Sequence, residues 1–233
     1  MAKIGSDIII AVHILDESYA RYLRECISSI HLNTEAGTFR IICVQDRGWE
    51  GTEALLGEYK TKGWIDLVLR NDGQRGWTRT NNVGLEVSEA DCAVLLNMDT
   101  VVSPGWLEGL IDCSERNRAA VVGCKLVDEY GRINHAGAYG VGFHKGMGEP
   151  NISYFDEEPV EWVTGACMLI RKWVRLSVGL LPEEYPHWGS DREYCKMVSF
   201  GGDEVWYSPV TLLHYTEKSK SVENDEYFKD MPR

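Results

Sequence analysis

The chain has 233 residues, 44% of them hydrophobic, and a formal net charge of −12. That hydrophobic share supports a sizeable core and excludes global disorder, while the acidic balance without a basic stripe excludes a nucleic-acid binder and a polybasic grip on anionic lipid. No apolar run approaches the ~20 residues needed to span a bilayer, and Met1–Ser6 reads as too short and too polar for a secretory signal.

The first half alternates strands and helices. Ile8-Ile9-Ile10-Ala11-Val12 is an unbroken apolar run, which suits a strand buried on both faces over Asp7–Val12. Tyr22, Leu23, Cys26, Ile27 and Ile30 fall on one helical stripe. A second strand is expected over Arg40–Val44, a turn at Gly48 and Gly51, and a helix over 52–60. Asp66–Arg70 reads as a third strand, 78–88 as a helix and Cys92–Leu96 as a fourth strand. This rhythm predicts an α/β fold with a mostly parallel sheet and right-handed crossovers. Ligands of such sheets bind beyond the carboxyl ends of the strands. His13, Asp46, Gln74 and Asp99 each follow a strand and are expected to converge on one crevice.

Beyond Asp99 the pattern changes. Ser103-Pro104 reads as a helix start, with Trp106, Leu107, Leu110 and Ile111 as its apolar face. Val121–Lys125 is a strand, and 128–160 is rich in glycine and turn formers with short strands. Trp162–Arg171 is expected as a strand containing Gly165, Arg192–Phe200 as a helix and Val205–Tyr207 as a short strand. Residues 215–233 are charged and read as a surface arm. The expectation is one domain with two sub-regions divided near Asp99.

Four places carry candidate chemistry, each with a plainer alternative. Asp99 ends a buried strand inside Asn97-Met98-Asp99-Thr100. It is either a turn residue or a carboxylate for a divalent cation that bridges to a diphosphate; Mg²⁺ and Mn²⁺ need few protein carboxylates when phosphates supply the other oxygens. His214 is an ordinary half-buried histidine or an imidazole completing that site, which would favour Mn²⁺. Asp191, at a loop–helix junction, is a cap or a general base. Gly165 marks tight packing or the close approach of a ligand. Among Trp49, Trp77, Trp162 and Trp188, the last is the candidate wall for an acceptor sugar. The seven cysteines are odd in number and lack zinc or redox spacing, so buried free thiols of a reducing cytosol are expected.

Taken in order, these segments resemble glycosyltransferase family 2, the inverting enzymes of the GT-A fold. The likeness rests on Val44-Gln45-Asp46 with Gly51-Thr52, Gly76-Trp77, Asn82-Val83-Gly84, Asn97-Met98-Asp99-Thr100 and Pro104-Gly105-Trp106-Leu107. Gly123-Cys124-Lys125-Leu126, His135-Ala136-Gly137 and Gly165 through Arg171 are similar to its rhamnosyltransferase-like branch. The resemblance implies a single GT-A-type domain over 1–233, with a nucleotide-binding half (about 7–99) and a smaller mixed metal- and acceptor-binding half (about 100–214). It implies Asp46 on the nucleobase, Asp99 and His214 on Mn²⁺ or Mg²⁺, and Asp191 as base. His13, Gln74, Asn82, Asn97 and Gly165 would complete the donor site. The substrates implied are a UDP- or dTDP-sugar donor and a glycan or lipid-linked glycan acceptor. The expected setting is cytoplasmic, with peripheral contact at a membrane surface left open. Asn97 stands where the family usually has an acid, Ser190 where an acid often precedes the base, and Glu50 where Asp is usual. A nucleotidyltransferase and a non-catalytic carbohydrate-binding derivative stay as alternatives, although His13-Ile14-Leu15-Asp16-Glu17 lacks the basic glycine loop of the former.

Overall fold

Ile8, Ile9 and Ile10 expose no surface, as a strand covered on both faces requires. In the computed structural model, which describes residues 5–215, this run is the middle of β1 (Ser6–Ile14). It is followed by α1 (Glu17–Asn33), β2 (Phe39–Gly48), α2 (Thr52–Thr61), β3 (Leu67–Arg70), α3 (Gly76–Val87) and β4 (Cys92–Leu96). β1 pairs in parallel with β2 and β4, and β2 with β3. Alternate residues of β1 serve opposite cores. Ile8, Ile10 and Val12 pack with α1, α2 and the later helix α4 (Trp106–Asn117), while Ile9 packs on the side of α3.

The second half extends the same sheet. The short strand β5 (Thr100–Val101) precedes α4, and β6 (Val121–Val127), β7 (Ile133–His135), β8 (Ala138–Tyr139), β9 (Phe143–His144) and β10 (Glu158–Pro159) follow it. Then come β11 (Cys167–Arg171), α5 (Lys172–Val178), α6 (Ser190–Phe200) and β12 (Val205–His214). β11 runs antiparallel between β4 and β6, and the sheet order is β10-β12-β6-β11-β4-β1-β2-β3. β8 and β9 form a separate hairpin. All seven cysteines are buried and unbridged. No described helix is long and apolar enough to cross a membrane. The expected arm, 215–233, lies outside the described residues except for Tyr215.

Three expectations about elements are corrected. The strand expected over Trp162–Arg171 begins only at Cys167. The amides just before it are committed to side chains rather than to a ladder: Thr164 N–H donates to His135 and Gly165 N–H to Asp191. The helix expected at Ser103-Pro104 starts at Trp106, because Gly105 takes a left-handed conformation (φ 74°) and the Ser103 hydroxyl donates to the Thr211 carbonyl. The strand expected over Val205–Tyr207 continues to His214, with a register shift between Ser208 and Thr211 that lets the sheet pass Pro209.

Gly84 lets α3 press onto β1: a Cβ there would overlap the Ile9 side chain. In an open helix Gly→Ala gains up to about 1 kcal/mol. Gly84→Ala is expected to reverse that sign and cost about 1–3 kcal/mol through overpacking, read as a lower urea midpoint.

Candidate active site

The strand tips open onto a cleft of about 530 Å³. Of the residues expected to form the site, His13, Gln74, Asn97, Asp99, Gly165, Asp191 and His214 line it, as does Trp188. Asp46 and Asn82 do not line it. Asn82 is buried under the loop before α6, where its Nδ2 donates to the Leu181 carbonyl at 2.9 Å and its Oδ1 accepts the Leu181 amide at 3.0 Å. It ties that loop to α3.

Asp46 sits behind His13. Its Oδ1 accepts Asn71 Nδ2 at 2.7 Å and the Arg75 amide at 2.5 Å. Its Oδ2 accepts the Gly76 amide at 3.1 Å and lies 3.3 Å from His13 Nδ1. One carboxylate thereby joins the ends of β1, β2 and β3 to the start of α3. Burial pushes its pKa up, but His13, the Arg75 amide and Asn71 outweigh that and hold it at about 2. His13 is further fixed by its own N–H, which donates to Met98 Sδ at 3.3 Å. His187 lines the cleft nearby; burial first, and then the charge of His13, lower its pKa to about 4 against the pull of Asp46.

Asp99 and His214 meet through strand register. Asp99 lies between β4 and β5, and β5 pairs with the end of β12 so that His214 faces Thr100. The Tyr215 amide donates to the Asp99 carbonyl at 3.0 Å and closes the junction. His214 Nε2 then stands 3.4 Å from Asp99 Oδ1, close enough for one cation to touch both. Among the described residues no group of three or more His, Cys, Asp or Glu forms a metal cluster, so the protein's share of such a site is one carboxylate oxygen and one imidazole nitrogen. That mixed set fits Mn²⁺ when phosphate oxygens supply the rest. Asn97, in the position usually acidic, is engaged elsewhere: its Oδ1 accepts the Trp77 indole N–H at 2.8 Å.

Asp191 lies in the first turn of α6, whose cap is Gly189 without a side-chain bond. It is therefore not the cap. Its Oδ2 accepts the Gly165 amide at 3.0 Å and its Oδ1 the Arg192 amide at 2.8 Å. These two bonds fix the orientation of the carboxylate at the cleft. Gly165 is needed for the approach, since a Cβ there would collide with the Trp77 ring. Gly165 thus packs closely on Trp77 and also lines the cleft.

Several lining residues were not read from the sequence as site residues: Tyr19, Tyr22, His144, Thr164, His187 and Arg192. Arg192 brings a cation to the cleft, paired with Glu193 at 2.9 Å. The sequence signal for His187 and Arg192 was adjacency to Trp188 and Asp191. His144 had no signal beyond lying in a glycine-rich stretch.

A mostly parallel sheet extended by antiparallel strands, with one strand-tip carboxylate and one helix-borne carboxylate at a single cleft, defines a GT-A-type α/β domain. The chain belongs to Glycosyl transferase family 2, whose profile matches residues 7–173. It is 28% identical over 230 residues to the uncharacterized protein y4gI of Sinorhizobium fredii, covering 93% of this chain and 25% of that protein. It is also 28% identical over 220 residues to the O-antigen biosynthesis protein RfbC of Myxococcus xanthus, covering 86% and 17%. The chain thus spans a quarter or less of these curated relatives. The crystal structure of GalNAc-T7 with UDP, GalNAc and Mn²⁺ superposes with a TM-score of 0.74 at 16% identity, covering 91% of this chain and 43% of that one. S. aureus TarS residues 1–349 gives 0.65 at 16%, covering 91% and 60%. At such identities the shared property is the fold.

The Asp46 node has a consequence in acid. Its pKa is depressed from 3.8 to about 2, so its contribution is present above the unfolded value and is lost as pH falls through the folded one. Stability of the wild type should therefore drop between about pH 4 and pH 2 more steeply than that of Asp46→Asn. Asp46→Ala should cost about 3 kcal/mol at neutral pH by stranding two backbone amides. Urea melts across that pH range check both.

Proposed function

We propose that this domain is an inverting, cation-assisted glycosyltransferase that moves a sugar from a UDP- or dTDP-sugar to a hydroxyl of a glycan or lipid-linked glycan. The observation that carries the reading is the meeting, in one cleft of a family 2 domain, of the Asp99–His214 pair and the helix-aimed carboxylate of Asp191. The fold relative crystallised with UDP, GalNAc and Mn²⁺ and the O-antigen biosynthesis relative support the donor and product class.

In this reading Asp99 and His214 would hold Mn²⁺ or Mg²⁺, which when bound would supply positive charge to offset that of the departing nucleoside diphosphate. His13, held by Asp46, and Gln74 flank the nucleotide at the strand tips. Asp191 accepts the proton of the acceptor hydroxyl while that oxygen forms a bond to the anomeric carbon and the bond to the diphosphate breaks. Attack from the face opposite the leaving group inverts the anomeric centre. Trp188, 62% exposed at the cleft, offers an aromatic face to the acceptor sugar.

Thermal shifts test the donor side. UDP or dTDP with Mn²⁺ should raise Tm, with stabilisation approaching about 2.7 kcal/mol at a hundredfold excess over Kd, and GDP should do less. Asp99→Ala should abolish the dependence of nucleotide binding on Mn²⁺; an undiminished dependence would remove Asp99 from the cation site. Triphosphate preference would favour a nucleotidyltransferase, and silence with every nucleotide a non-catalytic module.

Asp191→Asn should bind UDP as the wild type does and lose about 10²–10⁴-fold in turnover, measured by nucleoside diphosphate release from a donor panel. Full turnover in that variant would end the assignment of the base.

A further inference from the structure

Beside the cleft three polar groups stand in a line. The Thr164 amide N–H donates to His135 Nε2 at 3.2 Å, and His135 Nδ1 lies 3.0 Å from His144 Nδ1. His135 is buried, and burial, with the charges of His144 and His214, lowers its pKa to about 3. A neutral imidazole has one N–H. Since Nε2 of His135 is accepting, its proton is on Nδ1 and is donated to His144. The Nδ1 of His144 must then be a bare acceptor, because a proton there would set two donors head to head. The single proton of His144 is thereby fixed on Nε2.

His144 lines the cleft with Thr164, Gly165 and Asp191. Among the described residues no protein group hydrogen-bonds its Nε2 edge. Its ring is held edge-on to Trp162 at 4.9 Å, and the Trp162 indole N–H is itself tied to the Gly140 carbonyl at 3.0 Å. The hairpin therefore delivers one oriented ring at the cleft, with a bare Nδ1 facing His135 and the N–H on its opposite edge.

We infer that His144 is an acceptor-binding residue that donates its Nε2–H to an oxygen lone pair of the acceptor sugar beside Asp191, and that His135 is the positioning residue that sets its tautomer. The inference rests on the reading of Asp191 as the base, because that reading makes this side of the cleft the acceptor side. A locked donor selects its ligand. It meets a hydroxyl or ring oxygen well and an N–H poorly, because it cannot reverse its role without breaking the bonds from Thr164 to His135 and from His135 to His144.

The test uses the full chain with ¹⁵N-labelled histidine. Long-range ¹H–¹⁵N spectra at neutral pH should show His135 as the Nδ1–H form and His144 as the Nε2–H form; a proton on Nδ1 of His144 overturns the relay. His135→Phe should turn His144 into a mixture of both forms. If that variant does not fold, the wild-type tautomers decide the matter. With UDP and Mn²⁺ present, methyl glycosides of glucose, galactose, rhamnose and N-acetylglucosamine are then added in turn. At least one should move the His144 Nε2–H resonance, and an unmoved resonance with all four overturns the acceptor contact. For the glycoside that binds, His144→Phe should weaken affinity about tenfold, with His144→Gln recovering most of it and UDP affinity unchanged. Failure of UDP and Mn²⁺ to bind, with the tautomers and the glycoside response as stated, would strike the donor reading and leave the relay standing.

Discussion

A single carboxylate organises the floor of the cleft. Asp46 has no unused bonding capacity: its two oxygens serve Asn71, the amides of Arg75 and Gly76, and His13. These partners come from the ends of β1 and β3 and from the start of α3, so the carboxylate fixes where β1, β2 and β3 end relative to the first turn of α3. A buried charge is tolerable only when it is so fully bonded. The residue that reaches the cleft is consequently His13, with Asp46 behind it.

The other half of the site depends on strand register rather than on a bonded node. β12 reaches past Pro209 and pairs its last residues with β5, which brings His214 opposite Thr100 and beside Asp99. Asp191 is placed by a third device, the first turn of α6 with a glycine amide from the segment before β11. The loop before α6 is held in turn by Asn82 and by the Thr78 hydroxyl, which donates to the Tyr185 carbonyl. Residues outside the cleft thus determine the position of those inside it.

Much of this was legible in the sequence because local pattern and global fold agree in the first half. An apolar run such as Ile8–Val12 has few alternatives to a central parallel strand, and polar residues immediately after such strands fall at the crevice by topology alone. The stretch 162–166 was misread as strand because residues such as Trp162 and Val163 favour strand, whereas the amides that decide the matter bond to His135 and Asp191, more than 20 positions away in sequence. Asn82 was legible as a motif residue but not as a clamp on Leu181, which is 99 positions distant. His144 was invisible for a similar reason: it is defined by the geometry of a hairpin and by the proton on a neighbouring ring.

The meeting of Asp99 with His214 also orders events during synthesis. The carboxylate lies just after the fourth sheet strand, but the imidazole is among the last of the described residues to leave the ribosome and sits in a strand that pairs with both β5 and β6. A truncated or half-folded chain offers an aspartate without its nitrogen neighbour. The pair therefore exists only in a chain whose last described strand has joined the sheet.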